Sequence, residues 1–301
     1  MVNKKRWGKK HEDKRDWKEY DKQLIKRGEF YLNTSFLETW LEEVGEMNKG
    51  KVGEPYLYPE SMIQFLIVLW HLFPLRTLEG IMRSFSKKFL NFPVISYSQI
   101  RRRILAFQPL FKPKKKGLHA GSDGTGLQVG NRGEWIREHY GGPKRGWVKV
   151  VILGDTEGNV VDIKIGDEKF EENPAARDMV EANADFIDTF MGDGLYDVKE
   201  NFRLLDRLGI EPVIKIRKNA STRSQGCMAR KRQVIPYKKL GYKAWAKNKN
   251  YGKRWLATEG IFSAVKGIFG ESVRSHKTEN MYHEGKLKFW AYQTLKDYGM
   301  S

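Results

Sequence analysis

Trp147-Val-Lys-Val-Val-Ile-Leu153 is a continuous β run, and Gly154-Asp-Thr-Glu-Gly158 is a turn. Asn159-Val-Val-Asp-Ile-Lys-Ile165 then alternates, with Val161, Ile163 and Ile165 on one face. A period of two on either side of a Gly-bounded turn predicts an antiparallel hairpin. Upstream, Leu118 to Val129 is strand-like around a Gly-rich centre. Downstream, residues 175–184 carry a helical pattern, 186–191 a short strand ending at Gly192-Asp-Gly194, 198–208 a helix closed by Gly209, and 212–216 a further strand. Strands that first pair and then alternate with helices predict an α/β fold, a mixed sheet covered by helices. A helical region closes the chain.

No strand alternation stands out before residue 112. Helical spacing runs through 35–44, 59–73, 77–85 and 98–107. The pattern changes at Phe111-Lys-Pro-Lys-Lys-Lys-Gly117, a charged joint with Pro and Gly. The expected organisation is a basic arm or frayed helix over 1–27, a helical domain over 28–111, and a sheet domain over 117–301 that includes a basic segment, 217–253. With 301 residues and 40 % apolar content the chain can bury one large core or two smaller ones. The composition excludes a disordered chain. One cysteine, Cys227, excludes an intrachain disulfide and a cysteine-built zinc site. Residues 1–27 lack the apolar stretch of a signal peptide. The most apolar run, Met62 to Leu75, is too short to span a bilayer. A reducing, cytoplasmic setting with no membrane partner is the expectation.

From Pro212 to Thr258 there is no acidic residue, while fourteen Lys and Arg side chains fall in the same 47 positions. This stretch supplies +14 of the chain's net +18. Positive charge so concentrated suits a polyanion, most simply a phosphate backbone. The next residue is Glu259, at the start of a helical pattern. Asp123 lies in the first strand, within Gly121-Ser-Asp-Gly-Thr-Gly126, and Asp193 lies where the fourth strand ends. If strands one and four are neighbours, both aspartates meet at one end of the sheet, where a helix can add Glu259. Carboxylates about 4 Å apart repel by roughly 4 kcal/mol at an effective dielectric near 20, so such a cluster binds protons or a divalent cation. Oxygen-only ligands suit Mg²⁺ or Mn²⁺, and a pair of such ions can serve phosphodiester chemistry. Singly, each acid has a plainer reading: Asp123 and Asp193 as turn aspartates, Glu259 as a first-turn acid. Asp197-Val-Lys-Glu200 reads as a capping box, and Asp155, Asp162 and Asp167 as solvated hairpin acids.

Asp123-Gly-Thr-Gly-Leu, Gly192-Asp-Gly-Leu-Tyr-Asp197 and Tyr251-Gly-Lys-Arg-Trp-Leu-Ala-Thr-Glu259-Gly-Ile-Phe-Ser-Ala-Val-Lys266 resemble the three catalytic blocks of DDE transposases. The likeness is to prokaryotic insertion-sequence transposases of the insertion-sequence-five type. Tyr58-Pro-Glu-Ser-Met-Ile-Gln-Phe-Leu and Tyr97-Ser-Gln-Ile-Arg-Arg-Arg103 extend it into the helical region. The resemblance implies an RNase H-like catalytic domain with an N-terminal helical DNA-binding domain. It implies metal-dependent cleavage and strand transfer at terminal inverted repeats, with two Mg²⁺ or Mn²⁺ ions. The implied partners are double-stranded DNA (transposon ends and target) and a second copy of the chain, at the nucleoid. Asp123, Asp193 and Glu259 take the catalytic and metal-binding positions, and Tyr251, Arg254 and Lys266 take the Tyr–Arg–Glu–Lys signature. The Glu-to-Lys spacing of seven is kept, while Arg to Glu is five where four is usual. A DNA-binding protein without activity, or a structure-selective nuclease on the same fold, are the alternatives.

Glu259 and Lys266, two helical turns apart, share a face, so a metal ligand and a backbone-contacting cation can act together. Tyr251 is equally readable as a packing residue. Residues 77–85 and 98–107 suggest a helix-turn-helix-like pair with Arg101, Arg102 and Arg103 early in the second helix, where DNA contacts occur. A basic surface on a helical bundle is the plainer reading. Lys238, Lys239 and Lys243, interleaved with Tyr237, Tyr242 and Trp245, suit a groove that tracks DNA or else a solvated insertion.

Overall fold

The computed structural model of the chain describes residues 16–88, 92–130 and 146–301. Five helices come first: α1 (Trp17–Glu29), α2 (Trp40–Asn48), α3 (Glu60–Trp70), α4 (Leu75–Lys88) and α5 (Tyr97–Ala106). The hairpin is present as β2 (Trp147–Asp155) and β3 (Val160–Gly166), preceded by β1 (Leu118–Val129). Then follow α6 (Glu172–Ala182), β4 (Ile187–Gly192), α7 (Lys199–Leu208) and β5 (Glu211–Ile214). The basic segment contains helix α8 (Met228–Asn248). After it come the single turn α9 (Arg254–Ala257), α10 (Glu259–Phe269), β6 (Ser272–Val273) and the long α11 (Thr278–Met300).

The sheet order is β3-β2-β1-β4-β5, with β6 joining β1. The first three strands are antiparallel, whereas β1, β4 and β5 run parallel. This is the RNase H-like mixed sheet. Alternation along the strands sends side chains to two cores. Val151, Leu153, Val161 and Phe190 pack under α6 and α7. Leu127, Val148, Val150, Ile152 and Ile163 pack on the other face under α10 and α11. The N-terminal helices join this second cluster through Ile63, Leu66, Met82 and Ile100, so one apolar core runs from the helical region into the sheet. Each Leu- or Ile-sized side chain buried there contributes about 1.5–3 kcal/mol.

Residues 1–15 of the expected arm lie outside the described residues. Its second half is helix: α1 is N-capped by the Asp16 carboxylate, which accepts from Glu19 N at 3.2 Å. It lies on the end of α11, where Gly299 admits Arg27 and the Gln23 carbonyl. Two other expectations need correction. Asp155 is buried, not solvated, because it builds the hairpin turn by accepting the backbone N–H of Glu157 and Asn159, both at 2.9 Å. Asp197 is not a helix cap. Helix α7 starts after Val198 with no side-chain cap, and the buried Asp197 carboxylate receives Arg230 in two bonds of 2.6 and 2.8 Å. No helix among the described residues is long and apolar enough to cross a membrane.

Candidate active site

Strand register brings the two aspartates together. Gly121 pairs with Met191 in the parallel β1–β4 ladder. Asp123 and Asp193 each lie two residues beyond that last pair, so the same register carried on sets them level on strands about 4.8 Å apart, and the charge of Asp193 is felt at Asp123. Asp193 continues the strand in extended conformation, and its carboxylate accepts the Leu195 N–H at 2.7 Å. The Asp123 carboxylate accepts the Gly124 N–H at 2.9 Å.

The third acid arrives because two glycines let a helix touch the sheet. A Cβ on Gly121 would stand 3.1 Å from the Ala257 methyl, and one on Gly154 would stand 2.1 Å from the Ala257 carbonyl oxygen. Ala257 is therefore pressed onto β1 and β2, and Glu259, two residues on, opens α10 beside Asp123. Apolar Ile261, Phe262, Val265 and Phe269 bury one side of α10. Its far end is held by Lys288, whose ammonium donates to the carbonyls of Phe269 at 2.6 Å and Gly270 at 3.2 Å. Burial pulls the Lys288 pKa down to about 8, with Arg274 adding to the effect and Glu284 opposing it.

Arg254 occupies the middle of the cluster. Its guanidinium lies 3.3 Å from the Asp123 carboxylate and 2.5 Å from that of Glu259, and it stacks 5.7 Å from the Tyr251 ring centre. The Thr258 hydroxyl donates to the Arg254 carbonyl at 3.0 Å and also contacts the Glu259 carboxylate. The Asp123 pKa is raised, first by burial. The Gly124 N–H and Arg254 pull it down, whereas the charges of Glu259 and Asp193 push it up. The three acids thus feel one another. Among the described residues no three such groups are closed on a single point, and the guanidinium between Asp123 and Glu259 gives the physical reason. A positive group already resident among carboxylates marks the place as one that a cation satisfies. An all-oxygen donor set fits a hard divalent ion if Arg254 swings away.

The other expected site residues divide. Tyr251 is buried, packs against Trp245 and donates its hydroxyl to the Gly192 carbonyl at 3.1 Å, so it fixes the strand end that carries Asp193 and is not a surface contact. Arg103 turns inward to Glu60 at 3.0 Å and over the Tyr56 ring, which removes it from the expected basic face. Arg101 and Arg102 are exposed on α5. Lys266 is half-buried, two turns along α10 from Glu259. Lys238, Lys239 and Lys243 are exposed on α8, which is broken at Gly241 (φ 74°). That segment is helical and tethered. Arg230 reaches Asp197, and Arg217 donates its backbone N–H to Asp197 at 2.9 Å and its side chain to the Gly194 carbonyl at 2.7 Å. Sequence reading missed Thr258, Lys288 and the inward turn of Arg254. For Arg254, the only warning was a cation five residues before an acid.

The family profile described as Transposase DDE domain matches residues 121–293, and a second profile of the same description matches residues 25–132. Two solved structures are similar at low identity. One is a chain of the CryoEM structure of simian T-cell lymphotropic virus intasome in complex with PP2A regulatory subunit B56 gamma. It is 14 % identical over 63 % of this chain and 64 % of that one, with a TM-score of 0.24. The other is a chain of the crystal structure of a pre-cleavage Mos1 transpososome, 10 % identical over 93 % of this chain and 98 % of that one, with a TM-score of 0.22. The present chain spans about two thirds of the length of the first. With a family profile running through the strand of Asp123, the strand end of Asp193 and the helix of Glu259, the chain belongs to the DDE transposase-domain family.

Proposed function

We propose that this chain is an insertion-sequence transposase that cuts and joins DNA at terminal inverted repeats, with Asp123, Asp193 and Glu259 as its catalytic centre. The observation that supports the reading is the β1–β4 register, in which Asp123 and Asp193 each lie two residues beyond the Gly121–Met191 pair, with Glu259 opening the helix that follows Ala257, the residue packed on β1 and β2. These three carboxylates would hold Mg²⁺ or Mn²⁺, two ions in the working enzyme. Such ions, when bound, lower the pKa of a nucleophilic water or hydroxyl and offset charge on the leaving oxygen.

The rest of the chemistry belongs to the protein's own residues. Arg254 is the resident countercharge. Its planar fork matches phosphate as well as carboxylate, so it can leave the acids for a DNA phosphate. Tyr251 and Thr258 hold the strand end and the Glu259 side chain in place. Lys266, Lys238, Lys239, Lys243, Arg101 and Arg102 carry the charge that holds double-stranded DNA. Cutting two ends calls for two such centres, hence a homodimer on DNA at the nucleoid.

The test is nicking of duplexes bearing the inverted repeats that flank the coding region. Activity should require Mg²⁺ or Mn²⁺ and disappear in Asp123→Asn, Asp193→Asn and Glu259→Gln with DNA binding kept. Binding without cutting by the wild-type chain would leave a DNA-binding protein. Equal cutting of unrelated junctions would leave a structure-selective nuclease.

A further inference from the structure

We propose a second contact site for duplex DNA, a phosphate-binding cleft in the seam between the N-terminal helices and the segment that joins β6 to α11. The proposal rests on the reading of the chain as one that acts on DNA, and it deepens that reading by naming where the duplex lies beyond the carboxylates.

A cavity of about 410 Å³ opens in this seam. Apolar Trp70 at the end of α3, Leu75 on α4 and Ile104 on α5 line much of it, and Arg101 on α5 with Arg274 and Lys277 between β6 and α11 supply its charge. No carboxylate lines it among the described residues. Arg274 lies 5.4 Å from the Trp70 ring centre and donates to the Trp70 carbonyl, which locks the two sides together. Beneath, the fully buried Glu284 accepts the backbone N–H of Arg274 at 2.9 Å and of Ser275 at 2.8 Å. The segment bearing the cations is therefore held in shape before any ligand arrives. Glu284 also lies 3.8 Å from the Arg274 guanidinium and offsets part of its charge. Arg101 and Lys277 are exposed and enter no ion pair among the described residues, so they carry the uncompensated charge of the cleft.

Position supplies the second argument. Val273, the last residue before this segment, pairs with Val129, six residues along β1 from Asp123. Six residues of strand are about 20 Å. Helix α10 spans the same interval, with Glu259 at its start, Lys266 two turns on, and its end just before β6. Carboxylates, Lys266 and cleft thus fall along one line. Duplex DNA carries one charge per about 1.7 Å of its axis with both strands counted, so a duplex following that line holds roughly twelve phosphates over the interval, of which only those on its near side face the protein. An isolated small anion would use the cleft alone and gain nothing from the alignment.

The test uses the full chain and a fluorescently labelled duplex of about 30 base pairs and arbitrary sequence, titrated by anisotropy at several salt concentrations. Arg101→Gln, Lys277→Gln and the double variant are compared with the wild type, and thermal melting checks folding. Each lost phosphate contact should flatten the log–log salt slope by about 0.9, so the double variant should lose about 1.8. The loss should be the same on a second, unrelated duplex. A wild-type chain that binds with a steep salt slope, alongside a folded double variant of identical slope, would overturn the cleft and leave the DNA reading standing. A wild-type chain that binds neither duplex would overturn both.

Discussion

Replacing Arg254 by Gln removes the cation that, among the described residues, bridges Asp123 and Glu259. The guanidinium makes two charge-assisted contacts, at 3.3 Å to Asp123 and 2.5 Å to Glu259. The side chains of Arg254 and Asp123 are 14 % and 23 % exposed, but Glu259 is 37 % exposed, so water screens the shorter contact. Charged hydrogen bonds contribute about 1.5–3 kcal/mol each when sheltered, and exposed pairs under 1 kcal/mol. A combined loss of about 2 kcal/mol is the sensible magnitude. For a chain of this size it lowers Tm by about 4 °C in metal-free buffer. A divalent ion entering the wild type must first displace the guanidinium. In Arg254→Gln that cost is gone, so the same 2 kcal/mol becomes about 30-fold tighter binding of Mn²⁺. Isothermal titration with Mn²⁺ on chelator-stripped protein reads this directly, without turnover. Cleavage should still fall, because the variant has lost its phosphate fork. Mn²⁺ affinity that is unchanged or weaker in Arg254→Gln would refute the idea that the arginine stands in the ion's place.

Gly154→Ala puts a methyl carbon 2.1 Å from the Ala257 carbonyl oxygen, far inside contact distance. Moving that turn costs about 1–3 kcal/mol and carries Glu259 away from Asp123, so thermal melting and metal-dependent nicking should both drop. Asp197→Ala leaves Arg230 facing a buried void and frees the loop after Asp193. A loss of about 3–5 kcal/mol and faster proteolytic cutting within residues 217–253 are expected. His71 is buried and holds its pKa well below the usual 6.5, first through burial and then through the charges of Lys288 and Arg274. A depressed folded pKa gives stability above the unfolded value that is lost as pH falls below about 6.5, at up to about 1.4 kcal/mol per pH unit. His71→Phe should remove that acid sensitivity in melting curves taken from pH 7 to pH 5.

Much of the fold was legible because its signals are local. The bounds of β1 were readable from Leu118 and Val129, and the hairpin announced itself by alternation and by the Gly154–Gly158 turn. The helices expected over 59–73, 77–85 and 98–107 were placed to within three residues, whereas the pattern over 35–44 began five residues before α2, because residues 35–37 form a separate 3-10 turn. Less legible were features set by partners far along the chain. Asp197 looked like a helix cap because Glu200 follows it, yet its true partner, Arg230, is 33 residues away. Arg103 shares its local sequence with Arg101 and Arg102, and only the placement of Glu60 turns it inward. Strand β6 is two residues long, too short for periodicity to mark. The acid-free composition of the basic segment could not tell a solvated insertion from helix α8, because its anchors, Trp245 and Tyr251, pack only once β4 and β5 exist to receive them. The candidate site was readable as three acids, while the cation among them was not, since spacing alone does not say which way Arg254 points.

The claim on which the account depends is that Asp123, Asp193 and Glu259 together hold the bound divalent ions. A crystal structure of the chain soaked with Mn²⁺, recorded at the manganese absorption edge, tests it most directly. The account predicts anomalous density touching oxygens of all three carboxylates, with the Arg254 side chain moved off Asp123 and Glu259. Anomalous density confined to other surface acids, with the guanidinium still bridging Asp123 and Glu259, would contradict it.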